Sequence, residues 1–181
     1  MGSSDIAEDA KIITAAIKSA KGVGLKKAMM LINNRKYLMD IPIEVIRSID
    51  KLNKIGISEV EKEVAAKGFT KEKLYDFLNK LTFLEEKAAK GSPPVELMLL
   101  YIELKKEGLK EGVDFRFDAK LARGLDYYNG SVFELKESDN PSALSLGGGG
   151  RYDNLIGMFA KRQIPAVGFS FGIDRLIEAM P

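Results

Sequence analysis

A change of hydrophobic period near Gly112 constrains the fold of this chain more than any other feature. Before it, apolar residues recur at helical spacing over long stretches. After it they alternate, with Val113, Phe115 and Phe117 set against Asp114, Arg116 and Asp118. A period near 3.6 buries a stripe of a helix, and a period of two buries one face of a strand. Helices and strands in separate blocks predict an α+β protein.

The helical part is punctuated clearly. Asp5, with Glu8 three residues on, opens a helix whose stripe is Ile6, Ala10, Ile13, Ile17 and Ala20, and Gly22 and Gly24 end it. Ala28 to Ile32 reads as a buried strand, followed by a polar break at Asn33-Asn34-Arg35-Lys36. Pro42 suits a first helical turn, with Ile43, Ile46 and Ile49 on one face and Gly56 closing the segment. Further helices begin near Ser58, at Thr70, and after Gly91-Ser92-Pro93-Pro94, where Val95 to Lys106 runs until Gly108. This charged, all-helical stretch reads as a separate module that is free to move against the rest. The chain therefore divides into 1–40, 41–111 and 112–181.

In the last part, Asn129-Gly130 is a turn signal before a strand at Ser131 to Leu135. Ala143 to Leu146 reads as a strand that runs into the glycines Gly147 to Gly150, taken as a turn. A short helix at Leu155 to Phe159, a strand at Ala166 to Phe171 and a helix at Ile173 to Met180 follow.

Composition removes whole classes of chemistry. The 181 residues include no cysteine and no histidine, so thiolate metal sites, Ser–His and Cys–His nucleophiles and the usual neutral-pH base are excluded within the chain. A net charge of +2 is too small to announce nucleic-acid binding. No apolar run approaches the ~20 residues of a membrane span, and the start lacks signal-peptide regions, so a soluble, cytoplasmic protein is expected. Its chemistry should rest on electrostatics and positioning.

Three motifs supply suitable groups. Arg123-Gly124-Leu125-Asp126-Tyr127-Tyr128 offers a cationic fork for phosphate or carboxylate and an aromatic wall; a twisted hairpin with an exposed arginine and two packed tyrosines is the commoner use of such a segment. Gly147 to Gly150 with Arg151-Tyr152-Asp153 is either a flexible turn with Asp153 capping a helix, or a close-approach site with Tyr152 pointing back under the glycines. Gly168-Phe169-Ser170-Phe171-Gly172-Ile173-Asp174-Arg175 places an arginine in a first helical turn, against the dipole, which suits an anion or an ion pair with Asp174 or Glu178.

In this order and spacing the motifs resemble the catalytic domain of histidyl-tRNA synthetases. Leu121 to Glu134 is similar to the first histidine-specific signature, Gly148 to Asp153 to the second, and Val167 to Leu176 to motif 3 of class II synthetases. Asp5 to Asp40 is similar to the helix and strand before the family's helical insertion, and Asp50 to Gly56 fits the insertion. The resemblance implies a partial antiparallel sheet of the class II kind, flanked by helices. It implies that Arg123 reaches the α-phosphate and the histidine carboxylate as the catalytic cation. It implies that Tyr127, Tyr128 and Tyr152 line the imidazole pocket over a floor of Gly148, Gly149 and Gly150. Arg175, Gly172 and Gly168 would serve ATP. Histidine, ATP with Mg²⁺, and tRNA(His) are the implied ligands, and the complete enzyme is expected to be a homodimer.

The sequence also departs from the family. It shows no motif 1, no motif 2, no loop for the histidine amino group and no anticodon-binding domain. A chain with half of a catalytic domain should be inactive alone and should leave a strand edge unpaired near 115–120 or 28–32. Two other readings stand beside this one: a non-catalytic, histidine-sensing relative of the kind that regulates ATP phosphoribosyltransferase, and an RNA-binding helical module on a passive scaffold.

Overall fold

A computed structural model describes residues 1–122, 127–140 and 142–181, apart from the Asn53 side chain. Helix α1 spans Ile6–Gly22, and the Asp5 carboxylate caps it by accepting from Ala7 N–H at 3.0 Å. Strand β1 follows at Met29–Asn34. Helices α2 (Ile43–Ile49), α3 (Leu52–Ala66), α4 (Lys71–Ala89) and α5 (Val95–Lys106) come next. Gly56, at φ 77°, breaks α3 where the apolar pattern stops, and Thr70 caps α4 through Lys73 N–H at 3.3 Å. Strands β2 (Phe115–Phe117), β3 (Ser131–Lys136), β4 (Ser145–Arg151) and β5 (Val167–Phe171) complete the sheet, and α6 (Ile173–Ala179) closes the described chain.

The sheet order is β2-β1-β3-β4-β5. Pairing is antiparallel from β1 through β5, whereas β2 lies parallel to β1. The α2–α5 block explains the parallel pair, since only a long connection returns a chain to the same end of a sheet. β1 is consequently interior, and the edges are β2 and β5. The polar break expected at Asn33 and Asn34 is instead the buried end of β1. Its polarity is satisfied because Asn33 Nδ2 donates to the carbonyl oxygens of Ala119 and Leu121, each at 3.0 Å. Val113, expected in the alternation of β2, is exposed, and Asp114 is buried instead. The Asp114 carboxylate accepts from Lys110 N–H at 2.7 Å and from the Lys21 ammonium at the end of α1.

One face of the sheet is packed. Met30, Ile32, Phe133 and Leu135 on that face meet Ile13, Ile17 and Ala20 of α1 within one apolar core. Helix α5 lies beside α1 and brings Leu97, Leu100, Tyr101 and Leu104 into the same core, with Tyr101 edge-on to Phe115 at 4.9 Å. The Tyr37 hydroxyl also donates to the Glu96 carboxylate, tying the turn after β1 to the start of α5. Helices α2, α3 and α4 pack chiefly on one another. Among the described residues, no helix is long and apolar enough to cross a membrane.

Candidate active site

The site is built on the other face. Strand register sets one cross-strand row of Arg116, Leu31, Glu134, Gly148 and Ser170, and the next-but-one row of Asn33, Val132, Gly150 and Gly168. Because side chains alternate along a strand, both rows lie on the face away from α1. The row between them, Phe117, Ile32, Phe133, Gly149 and Phe169, belongs to the packed face.

Gly147 to Gly150 are therefore strand and not turn, and Arg151 is the end of β4, not a helix entry. The glycines serve two sides. A Cβ on Gly149 would lie 2.6 Å from Phe133 Cε2, and one on Gly147 would lie 2.9 Å from Phe169 Cζ. Those absences let Phe133 and Phe169 stack across β4 at 6.2 Å. Gly149, expected as pocket floor, thus serves the core. On the open face a Cβ on Gly150 would lie 2.7 Å from the Tyr128 ring, and one on Gly168 would lie 2.6 Å from the Tyr152 hydroxyl oxygen. Two tyrosines therefore rest directly on glycine backbone.

Tyr127, Tyr128 and Tyr152 form one aromatic cluster. Their ring centroids are 4.7, 5.8 and 6.3 Å apart for the 127–128, 127–152 and 128–152 pairs. Such a cluster offers a flat planar group π-faces and hydroxyl tips together. Asp153 is not a helix cap: it accepts from Ala166 N–H at 3.0 Å and from Arg151 at 3.1 Å. The segment after it is a 3-10 turn at Ile156–Met158 and not an α-helix.

Arg175 lies at the far end of the same face. It is exposed and donates to the Ser145 carbonyl oxygen at 3.3 Å, a partner other than the two acids considered from sequence. Ser145 and Tyr152 bracket β4, so the arginine and the tyrosine cluster stand roughly 20 Å apart at ~3.3 Å per residue. A cavity of about 530 Å³ at the Arg175 end is lined by Arg175, Glu134, Lys136, Lys120, Asp118 and Leu31. Burial pushes the Asp118 carboxyl up, against the opposing pull of Arg116. Gly172 donates its N–H to Leu146 O at 2.8 Å, and a Cβ there would meet Arg175 only at an ordinary 3.6 Å. Arg123, with Gly124 to Asp126, lies outside the described residues.

Three residues here were not among the expected site residues, although Ser131 and Glu134 lie within the first signature. Glu134 sits midway along the open face and accepts from the Ser145 hydroxyl; its signal was the alternation of Val132, Glu134 and Lys136. Beneath β4, Asp9 accepts from both the Ser131 hydroxyl and the Arg151 guanidinium. Asp9 signalled itself as a carboxylate inside the apolar stripe of α1, between Ile6 and Ile13.

A parallel edge strand on an otherwise antiparallel sheet, backed by helices and open on one glycine-rich face, is the catalytic architecture of class II aminoacyl-tRNA synthetases. Histidyl-tRNA synthetase from Nostoc sp. PCC 7120 superposes with a TM-score of 0.77 at 28% identity, covering 97% of this chain and 47% of that one. The family model for histidyl-tRNA synthetase matches residues 1–176, and the chain belongs to that family. Histidine--tRNA ligase from Aeropyrum pernix is 36% identical over 94% of this chain and 43% of its own length. The chain thus spans less than half the length of that curated relative. A Bacillus halodurans protein described as an ATP phosphoribosyltransferase regulatory subunit/histidyl-tRNA synthetase superposes at a TM-score of 0.71 with 26% identity, covering 99% of this chain and 51% of that one.

Proposed function

We propose that this chain supplies the histidine-selecting half of a histidyl-tRNA synthetase catalytic domain, in a cytoplasmic enzyme that activates histidine with ATP and transfers it to tRNA(His) as a homodimer. The observation that carries this reading is the cluster of Tyr127, Tyr128 and Tyr152 seated on Gly150 and Gly168. An imidazole can pack against such a wall of rings and meet their hydroxyl tips. Tyr128 and Tyr152 line the pocket, Gly148 and Gly150 form its floor, and Arg123 is the fixed cation for the carboxylate and α-phosphate. Arg175 holds ATP phosphate at the other end of the face, beside Gly172; Gly168, expected at the nucleotide, is instead the backbone on which Tyr152 rests. Adenylate formation then needs charge neutralisation and in-line placement, which a chain without histidine can provide. Mg²⁺ enters with ATP as the substrate complex; among the described residues no cluster of three acids gathers to hold it independently. In the same reading, 1–40 and 112–181 are catalytic-domain parts and 41–111 is the insertion, with α5 fastened to the catalytic core.

The test is histidine-dependent ATP–pyrophosphate exchange, with this chain mixed with the motif 1 and motif 2 portion of a relative. Exchange should need both parts, and Arg123→Ala should lower it by about 10²–10³, the usual cost of one preorganised charge contact. Exchange at the parent rate by the Arg123→Ala variant overturns its role, and exchange by this chain alone overturns the half-pocket. Histidine binding without exchange in any mixture favours the second reading, a histidine sensor, which the likeness to the Bacillus halodurans protein supports.

A further inference from the structure

The second glycine motif carries an arginine that the proposed function leaves unused. Arg151 is 6% exposed and turns to the α1 side of the sheet, away from the tyrosines. Its Nε donates to Asp9 Oδ2 at 3.0 Å and Oδ1 at 3.3 Å, and its Nη2 donates to Asp9 Oδ2. The same guanidinium donates to the carbonyl oxygens of Ser3 at 3.2 Å and Asp5 at 3.1 Å, and to Asp153 Oδ1 at 3.1 Å. Asp9 is fully buried and accepts from the Ser131 hydroxyl as well. The two residues are 142 positions apart in the chain. Burial opposes the Arg151 charge, but the Asp9 hydrogen bonds and the nearby Asp153 outweigh it and hold the guanidinium's pKa above its ordinary value.

This fork fixes the backbone on both sides of Tyr152. Asp153 Oδ1, held by Arg151, also accepts from Ala166 N–H at 3.0 Å, while Asp153 N–H donates to Asn129 Oδ1 at 3.2 Å. Asn129 N–H closes the ring on the Arg151 carbonyl at 3.0 Å, and Tyr152 N–H donates to Ala166 O at 2.8 Å. The Tyr152 ring leaves this frame on the opposite face and lands on Gly168.

We propose that Asp9 is a positioning residue for Tyr152: from a helix behind the sheet it aims the Arg151 fork, which sets the angle at which Tyr152 meets Tyr127 and Tyr128. A carboxylate is required because the fork donates to both of its oxygens, and an amide would turn a donor toward Arg151. The functional weight of this residue rests on reading the tyrosine cluster as the wall of the amino-acid pocket; its geometric role does not.

The experiment is ¹⁹F NMR of the chain carrying 3-fluorotyrosine at its six tyrosines, with single Tyr→Phe variants assigning each line. Two variants are compared with the parent. Asp9→Asn keeps the shape but strips the second acceptor. Asp9→Leu with Arg151→Met replaces the buried pair by apolar groups, a change that buried ion pairs commonly tolerate without unfolding. Both should move the Tyr152 line while the lines of Tyr75 and Tyr37 stay at the parent positions. A Tyr152 line unmoved in the folded double variant overturns the proposal, whatever Asp9→Asn does to stability. Histidine is then titrated into the same samples with the motif 1 and motif 2 portion of a relative added, and the two variants should bind it roughly tenfold more weakly, as for other groups that orient a contact residue. If the parent's tyrosine lines ignore histidine while the Tyr152 line still depends on Asp9, the proposed function fails and the positioning role stands.

Discussion

Gly149 and Gly150 are neighbours in β4 whose missing side chains serve opposite faces of the sheet. Alanine at each should therefore have different consequences. Gly149→Ala drives a methyl into Phe133 and the β5 backbone, and should lower unfolding free energy by about 1–3 kcal/mol, as overpacking does. Urea denaturation at neutral pH measures it. Gly150→Ala pushes on the Ser131 carbonyl oxygen of β3 and on the Tyr128 ring, each at 2.7 Å, so beyond a stability cost of its own it should, unlike Gly149→Ala, weaken histidine binding in the proposed pocket, read by calorimetric titration. Equal loss of stability with unchanged binding would contradict this division. Arg151 shows the same dependence on facing. In sequence it belongs to the ligand motif, yet in space its contacts are with α1 and the first residues of the chain.

At the scale of elements, the ends of helices follow local rules. Thr70→Ala removes the cap of α4 and should cost about 1 kcal/mol, checked by thermal or urea unfolding. The junction between α1 and β2 depends instead on Asp114. Burial by itself would raise its carboxyl, but Lys21 and the Lys110 N–H hold it below the ordinary aspartate value. The folded pKa lies under the unfolded one, so the contribution is present above about pH 4 and is lost as pH falls through the folded value. Asp114→Asn should cost about 2 kcal/mol at pH 7, the range for hydrogen bonds to a charged group, and the gap from the parent should shrink towards pH 3. A gap of constant size across that range would show that the charge of Asp114 is irrelevant.

For the whole molecule, the packing divides the helical stretch unevenly. α5 shares its core with α1 and the sheet, while α2–α4 lean mainly on one another. Hydrogen exchange should find the amides of α5 protected together with α1 and β3, and those of α2–α4 opening as a separate, less stable group. Leu100→Ala, at a fully buried position of α5, should cost about 2–5 kcal/mol and raise exchange in α1 as well. Exchange rising in α2–α4 with α1 untouched would place α5 with the insertion. Among the described residues the sheet has two edges, β2 and β5, and an unpaired strand edge is a template for pairing with further strands. The isolated chain should therefore self-associate in a concentration-dependent way by light scattering.

The sequence by itself determined what depends on neighbours along the chain. Asp5, Thr70 and Pro42 opened helices, Gly56 and Gly108 interrupted or ended them, and alternation marked β3. The motif order also carried the resemblance to the family, and it is that resemblance which implied a shared pocket for Tyr127, Tyr128 and Tyr152. Tertiary structure decided what depends on partners far away. Glycine has no side chain to alternate, so Gly147 to Gly150 carried no period and read as a turn until β3 and β5 paired with them. Asn33 read as part of a break because its amide nitrogen finds its acceptors in a loop more than 80 residues on, whereas Asn34 does cap the turn that follows β1 by accepting from Lys36 N–H. The parallel course of β2, and the aim of Tyr152 set through Arg151 and Asp9, follow from register and from a buried charge pair. Neither is encoded in any local run, because the face a strand residue occupies is fixed by what packs against it.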